Sequence, residues 1–189
     1  MFAGRRFQFR PVLTLFAALG LGVLVSLGNW QLERLQWKRD LISRVDARID
    51  AAPIKFEEAI SAMNAGDELD YTPVVVEGVY VRDHETRVFG AIKGTPGVFV
   101  FTPLQLESGS FVYINRGFVP QKLAQGENIA VAEDGRVTVT GLFRAPANPA
   151  PPASWFQPTT QSADGLWHLR DPALFARSAN IDAVPFYLD

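Results

Sequence analysis

No cysteine occurs among the 189 residues, and this single absence removes disulfides, thiolate metal sites and a cysteine nucleophile together. It carries no information about compartment, because reducing and oxidising compartments both hold cysteine-free proteins. Histidine is almost as scarce. His84 and His168 lie far apart and lack the helical or short-loop spacing of a paired metal site, so metal catalysis finds no support. Ser108, Ser110 and Ser154 lack a Gly-x-Ser-x-Gly elbow, and no glycine-rich phosphate loop of recognised spacing is present. A basic surface is also missing from most of the chain. Residues 51–189 carry ten Lys or Arg against sixteen Asp or Glu, whereas residues 1–50 carry eight against four. The long acidic part argues against nucleic acid as a partner. Chain length allows one folded domain beside an anchor, and not comfortably two.

What is present begins with a run from Pro11 to Leu27, PVLTLFAALGLGVLVSL, without a charge, extendable to Trp30 before Glu33 intervenes. Twenty helical residues span about 30 Å, the thickness of a hydrocarbon core. The run therefore predicts a transmembrane helix, with the lipid bilayer as a partner. Arg5, Arg6 and Arg10 precede it and Trp30 stands at its far boundary, which fits an N-in orientation; Arg34, Lys38 and Arg39 follow closely and nearly balance that bias. A cleaved signal peptide is the competing reading. The large residues Trp30, Leu32 and Leu35 after the run do not resemble small-residue cleavage chemistry.

Trp30, Arg34, Trp37, Leu41, Val45 and Ile49 then recur at steps of three or four, so the helix continues as a stem and stops near Pro53. A short helix around Phe56 to Met63 follows, ended by Asn64-Ala65-Gly66-Asp67. From Tyr71 the pattern turns to strands. Val74 to Val81, Thr86 to Ile92, Val98 to Leu106, Phe111 to Asn115 and Arg136 to Phe143 are rich in β-branched and aromatic residues. Glu107-Ser108-Gly109-Ser110 predicts a hairpin turn. The proline-rich run Ala145 to Pro158 contains Trp155 and Phe156, which predicts an ordered surface loop. Asp171 and Pro172 start a helix to Ala179, and Pro185 to Leu188 returns to the sheet. The expected fold is membrane-anchored α+β: residues 1–30 as tail and transmembrane helix, 31–52 as stem, and 53–189 as a compact antiparallel β-rich domain outside the cytoplasm, with short helices. Barrel and folded sheet both remain open.

Among polar residues, Arg116 draws most weight, because it follows an apolar strand and precedes a glycine, and so emerges at a strand end. Its planar fork suits an anion or carboxylate. A structural ion pair explains it equally well. His84, in Arg82-Asp83-His84-Glu85, reads as a solvated loop histidine, and His168, between Trp167 and Leu169, as a partly buried structural one. Residue patterns alone reach an anchored binding or accessory module with no catalytic or metal residue.

The stretch Leu27-Gly28-Asn29-Trp30-Gln31-Leu32-Glu33-Arg34 followed by Trp37-Lys38-Arg39-Asp40-Leu41-Ile42 resembles the entry motif of the surfeit locus protein 1 family. Gly97 to Pro103 with Tyr113-Ile114-Asn115-Arg116-Gly117-Phe118-Val119-Pro120 is similar to its central motif, with Phe118 where tryptophan is commoner. Gly141-Leu142-Phe143-Arg144-Ala145-Pro146 and Trp167-His168-Leu169-Arg170-Asp171 resemble later segments, all in register. The resemblance implies a non-catalytic factor for cytochrome c oxidase assembly, assisting haem a delivery or insertion into the core subunit. The implied location is the bacterial inner membrane with a periplasmic domain, or the mitochondrial inner membrane facing the intermembrane space. A stably bound accessory subunit of a respiratory complex is the alternative. The family usually carries a second, C-terminal transmembrane helix with the histidine proposed as haem ligand; no such helix lies within residues 1–189, so haem a is an expected transient cargo without a ligand identified here. Trp30, Gln31, Arg34, Asn115, Arg116 and Gly117 carry over as motif positions of unassigned role.

Overall fold

The computed structural model describes residues 10–124, 135–146, 151, 155 and 158–189. They fall into two compact units, Met1–Ala47 and Arg48–Asp189. Helix α1 (Pro11–Ile49) begins with proline at its first position, where a missing N–H costs nothing, and no residue of it is buried. It is long and apolar enough to cross a membrane. Its 39 residues measure about 58 Å, longer than the ~30 Å of a hydrocarbon core.

The second unit opens with β1 (Ile54–Lys55) and α2 (Phe56–Ala65), which ends on Gly66 in the left-handed region at φ +88°. Six further strands follow: β2 (Pro73–Tyr80), β3 (Thr86–Ile92), β4 (Thr95–Gln105), β5 (Phe111–Pro120), β6 (Arg136–Arg144) and β7 (Leu166–Trp167). Helix α3 (Pro172–Ala179) and β8 (Ala183–Leu188) complete the unit. Asp171 caps α3 by accepting from the Ala173 amide at 2.9 Å, and Asn180 closes it in the left-handed region.

All eight strands join one sheet in the order β1-β2-β6-β8-β5-β4-β3-β7, and β2 also pairs with β4. That extra pairing closes β2, β6, β8, β5 and β4 into a five-stranded ring, which decides between barrel and folded sheet. Closure needs Gly78. A Cβ there would overlap the Gln105 carbonyl oxygen at the crossing of β2 and β4. The membrane-anchored α+β class is as expected, but the sheet is mixed. Five pairings are antiparallel, two of them, β3–β4 and β4–β5, as hairpins, while β1–β2, β3–β7 and β5–β8 are parallel. The parallel pairs join strands separated by long intervening chain, including α3 before β8, and such connections free a strand from the hairpin's reversal of direction.

Alternation along the strands divides the core in two. Val74, Val76, Leu104, Val112, Ile114, Phe186 and Leu188 pack on one side, with Phe56 and Ala59 of α2. Val88, Phe101, Tyr113, Trp167 and Tyr187 pack on the other around Phe175 of α3. Phe175 is fully buried, with ring centroids of Tyr113, Trp167 and Phe101 at 5.3, 5.5 and 5.6 Å. Most of the run from Ala145 to Pro158, Ser154 and Phe156 included, lies outside the described residues; Trp155 is exposed.

Candidate functional site

The regular pairing of β4 with β5 breaks at one point. Phe101 faces Asn115 and Phe99 faces Phe118, so Arg116 and Gly117 together oppose Val100. Two residues against one make a β-bulge, which bends the strand and re-aims the side chains on it. Gly117 supplies the conformation, at φ +111°, where a side chain would strain the backbone. Asn115 fastens both sides of the bulge. Its Oδ1 accepts from the Gly117 amide at 3.1 Å and its Nδ2 donates to Asp189 Oδ1 at 2.6 Å. Arg116 then lies with its guanidinium carbon 4.4 Å from the ring centre of Tyr80, the last residue of β2.

A half-buried carboxylate stands nearby. Burial pushes the Glu85 carboxyl above its ordinary value, opposed by Arg87, a hydrogen bond to Thr102, Arg116 and Arg82. Three guanidinium groups from the 3-10 turn (Arg82–His84), β3 and β5 thus act on one acid.

Asp189 links this bulge to a second group. Its other carboxylate oxygen is 4.0 Å from Arg144 Nε at the end of β6, too far for a hydrogen bond, and that buried nitrogen has no hydrogen-bond partner among the described residues. The Arg144 guanidinium is 4.0 Å from the ring centre of Tyr71, whose backbone is itself left-handed at φ +68°. Arg170 repeats the arrangement over Phe99 at 3.9 Å. Burial and Asp189 raise the Tyr187 hydroxyl, while a hydrogen bond and charge from Arg170, and the charge of Arg144, oppose the rise. Three arginines of the domain therefore each lie over an aromatic face, and two of their strands share Asp189. Planar guanidinium groups held this way keep their forks oriented for carboxylate or other planar anionic partners.

Of the residues singled out in the sequence, Asn115, Arg116 and Gly117 form one device, the bulge. The strand does not end at Asn115 with Arg116 emerging from it, as expected, but runs on to Pro120, because the bulge at Gly117 absorbs the extra residue and pairing with β4 resumes at Phe118. Trp30, Gln31 and Arg34 lie on α1, where the Arg34 guanidinium sits 5.5 Å from the Trp30 ring centre, four residues back along the helix. His168 is exposed, 5.9 Å from the Phe89 ring, and the expectation of partial burial fails because strand alternation turns Trp167 inward instead. His84 is half-buried in its turn, less solvated than a free loop would leave it. The sequence reading missed Tyr71, Tyr80, Glu85, Arg144 and Arg170 as members of the site. Arg144 and Arg170 did carry the same signal as Arg116, an arginine at the end of an apolar strand or segment, and could have been found by it.

A model of the SURF1 family matches residues 18–189. Surfeit locus protein 1 of Rattus norvegicus is 30% identical over 181 residues, which cover 87% of this chain and 56% of that protein. The protein of the same name in Homo sapiens is 29% identical over 184 residues, 87% of this chain and 58% of its own length. The cytochrome oxidase assembly protein SHY1 of Saccharomyces cerevisiae is 25% identical over 189 residues, 96% of this chain and 47% of that protein. The chain spans about half the length of these relatives.

Proposed function

This chain belongs to the SURF1 family, and from that premise we propose that it is a non-catalytic assembly factor for cytochrome c oxidase. The observation that carries the reading is the family match across residues 18–189, joined to a relative named as a cytochrome oxidase assembly protein. Its place is a respiratory membrane, bacterial or mitochondrial inner, with α1 as the anchor and the β domain on the periplasmic or intermembrane side. The help it gives is delivery or insertion of haem a into the core subunit. Haem a is cargo in this scheme, and no residue of the chain is assigned as its ligand.

The arginine and aromatic pairs are the proposed contact surface. Arg116 lies at the bulge within β5, Arg144 at the end of β6 and Arg170 shortly after β7; each is backed by a ring and suits an acidic face of the oxidase subunit or a cargo carboxylate. Deletion of the gene, followed by oxidase activity and the haem optical spectrum of the membranes, tests the function. Loss of active oxidase and of its haem a signal is expected. Normal oxidase with normal haem content, in a cell without a second copy, overturns the assembly role; stoichiometric recovery with mature oxidase would reassign the chain as an accessory subunit.

A further inference from the structure

The domain is acidic as a whole, yet two of its segments carry no acid. From Thr86 to Leu106, and again from Phe111 to Ala124, there is no Asp or Glu, while Arg87, Lys93, Arg116 and Lys122 are all basic. The structure brings the two tips of these segments together. Lys93 and Gly94, both at positive φ, make the tight two-residue turn between β3 and β4. Beside it the turn after β5 is tied on by the Gln121 amide, which donates to the Pro96 carbonyl at 3.0 Å, and it folds back through the Leu123 amide to Pro120 at 2.8 Å. Two large apolar side chains protrude at this end, Ile92 at 43% and Leu123 at 70% exposure. Lys93 and Lys122 accompany them, with Pro96 and Pro120 lining a shallow hollow of about 390 Å³ between the tips.

Protruding apolar side chains each next to a lysine, with no acid in either segment, are the chemistry of an interfacial membrane contact. The apolar groups enter the headgroup boundary, and lysine stems extend so that their charges stay with anionic headgroups. An acidic domain would otherwise be repelled from such a surface, so the placement of the basic residues decides which end can approach. The same chain carries a helix of bilayer-spanning length, which keeps a lipid surface at high effective concentration. We infer that the paired tips around Ile92 and Leu123 are a peripheral membrane contact of the domain, selective for anionic lipid.

Because the chain has no cysteine, single labels can be placed without background. Leu123→Cys carrying a polarity-sensitive dye is compared with Ser108→Cys, an exposed site in the β4–β5 hairpin at the other end of β4, some eleven residues and roughly 35 Å away along the strand. Both are placed in the full chain, reconstituted in phosphatidylcholine vesicles with or without phosphatidylglycerol and with quencher-labelled lipids. The dye at 123 should shift to the blue and be quenched when phosphatidylglycerol is present, and the dye at 108 should do neither. Added salt, or Lys93→Ala with Lys122→Ala, should weaken the contact by about fivefold for each lysine removed. Equal emission and quenching at the two sites overturns the inference, as does quenching at 123 that ignores phosphatidylglycerol, salt and both lysines. A blue shift that requires added membrane protein instead of anionic lipid assigns the tip to a protein partner and overturns it too. Thermal melts of the labelled chains, matched to the unlabelled one, verify that folding is unchanged.

Discussion

The two halves of β5 differ in what holds them. From Phe111 to Ile114 the strand lies between β4 and β8, and Val112, Tyr113 and Ile114 are buried. Pairing with β8 ends at Ile114 opposite Leu188, and from Asn115 to Pro120 the strand pairs, among the described residues, with β4 alone and every residue is half-buried. The first half is determined by packing. The second is determined by a few directional contacts: one glycine conformation, one asparagine that bonds both ways, and one arginine over a ring. The register against β8 also shifts, between Phe111 and Tyr113, but the bulge against β4 that carries Arg116 forms where pairing with β8 has ended.

Breaking the packed half should cost most. Phe175→Ala removes the ring that Tyr113, Trp167 and Phe101 surround, and a loss of about 3–5 kcal/mol is expected in urea unfolding, enough to unfold a marginal domain. Retention of the wild-type midpoint would show that α3 is not part of this core. In the second half, Gly117→Ala meets no atom within 4 Å of its new Cβ, so its cost is that of the left-handed backbone alone, about 1–3 kcal/mol. A D-alanine at the same position, introduced by semisynthesis, should recover most of it. If L- and D-alanine melt alike, strain at the bulge is not the cause.

Asn115→Ala comes next, losing its bonds to Gly117 and Asp189, at about 1–2 kcal/mol, and it should also release Arg116 from its position. Loss of the partly exposed cation–π contact in Arg116→Ala accounts for about 0.5–1 kcal/mol of stability, beside the charge it presents to Glu85, while oxidase assembly falls. Quantitative blotting beside oxidase activity separates these. Early melting or degradation would make Arg116 structural, and full oxidase activity at normal abundance would remove it from the contact surface. Glu85→Gln is the finest test. Burial raises the Glu85 pKa in the folded state, so folding favours its protonated form; that stabilisation is fully present below the unfolded value and is lost as pH rises through the folded one. Wild-type stability should therefore gain relative to Glu85→Gln as pH falls through the range just above the ordinary glutamate value. Parallel pH profiles for the two proteins would mean that Glu85 is not desolvated by this neighbourhood.

Local chemistry made some elements readable without a structure. An uncharged run from Pro11 to Leu27 has one economical conformation in lipid, a helix that satisfies its own backbone, and Pro53 bars its continuation. Gly66, Asp171 with Pro172, and Ser108-Gly109 mark ends and turns because those residues act within a few positions of themselves. The strands from Thr86 to Ile92 and from Arg136 to Arg144 likewise follow from β-branched patterning.

What no local pattern could decide is who neighbours whom. Val74, Val75 and Val76 are alike in sequence, yet Val74 and Val76 are buried and Val75 only half so, because register against β6 selects the face. The parallel seating of β8 beside β5, the closure of β2 on β4 at Gly78, and the meeting of Asn115, Arg144 and Asp189 all join residues remote along the chain. Hence the sequence by itself determined an apolar anchor, the segments of a β-rich domain and a motif containing Asn115, Arg116 and Gly117. Only the tertiary structure turned that motif into a bulge that points an arginine at Tyr80, since a bulge exists only relative to the strand that fails to match it.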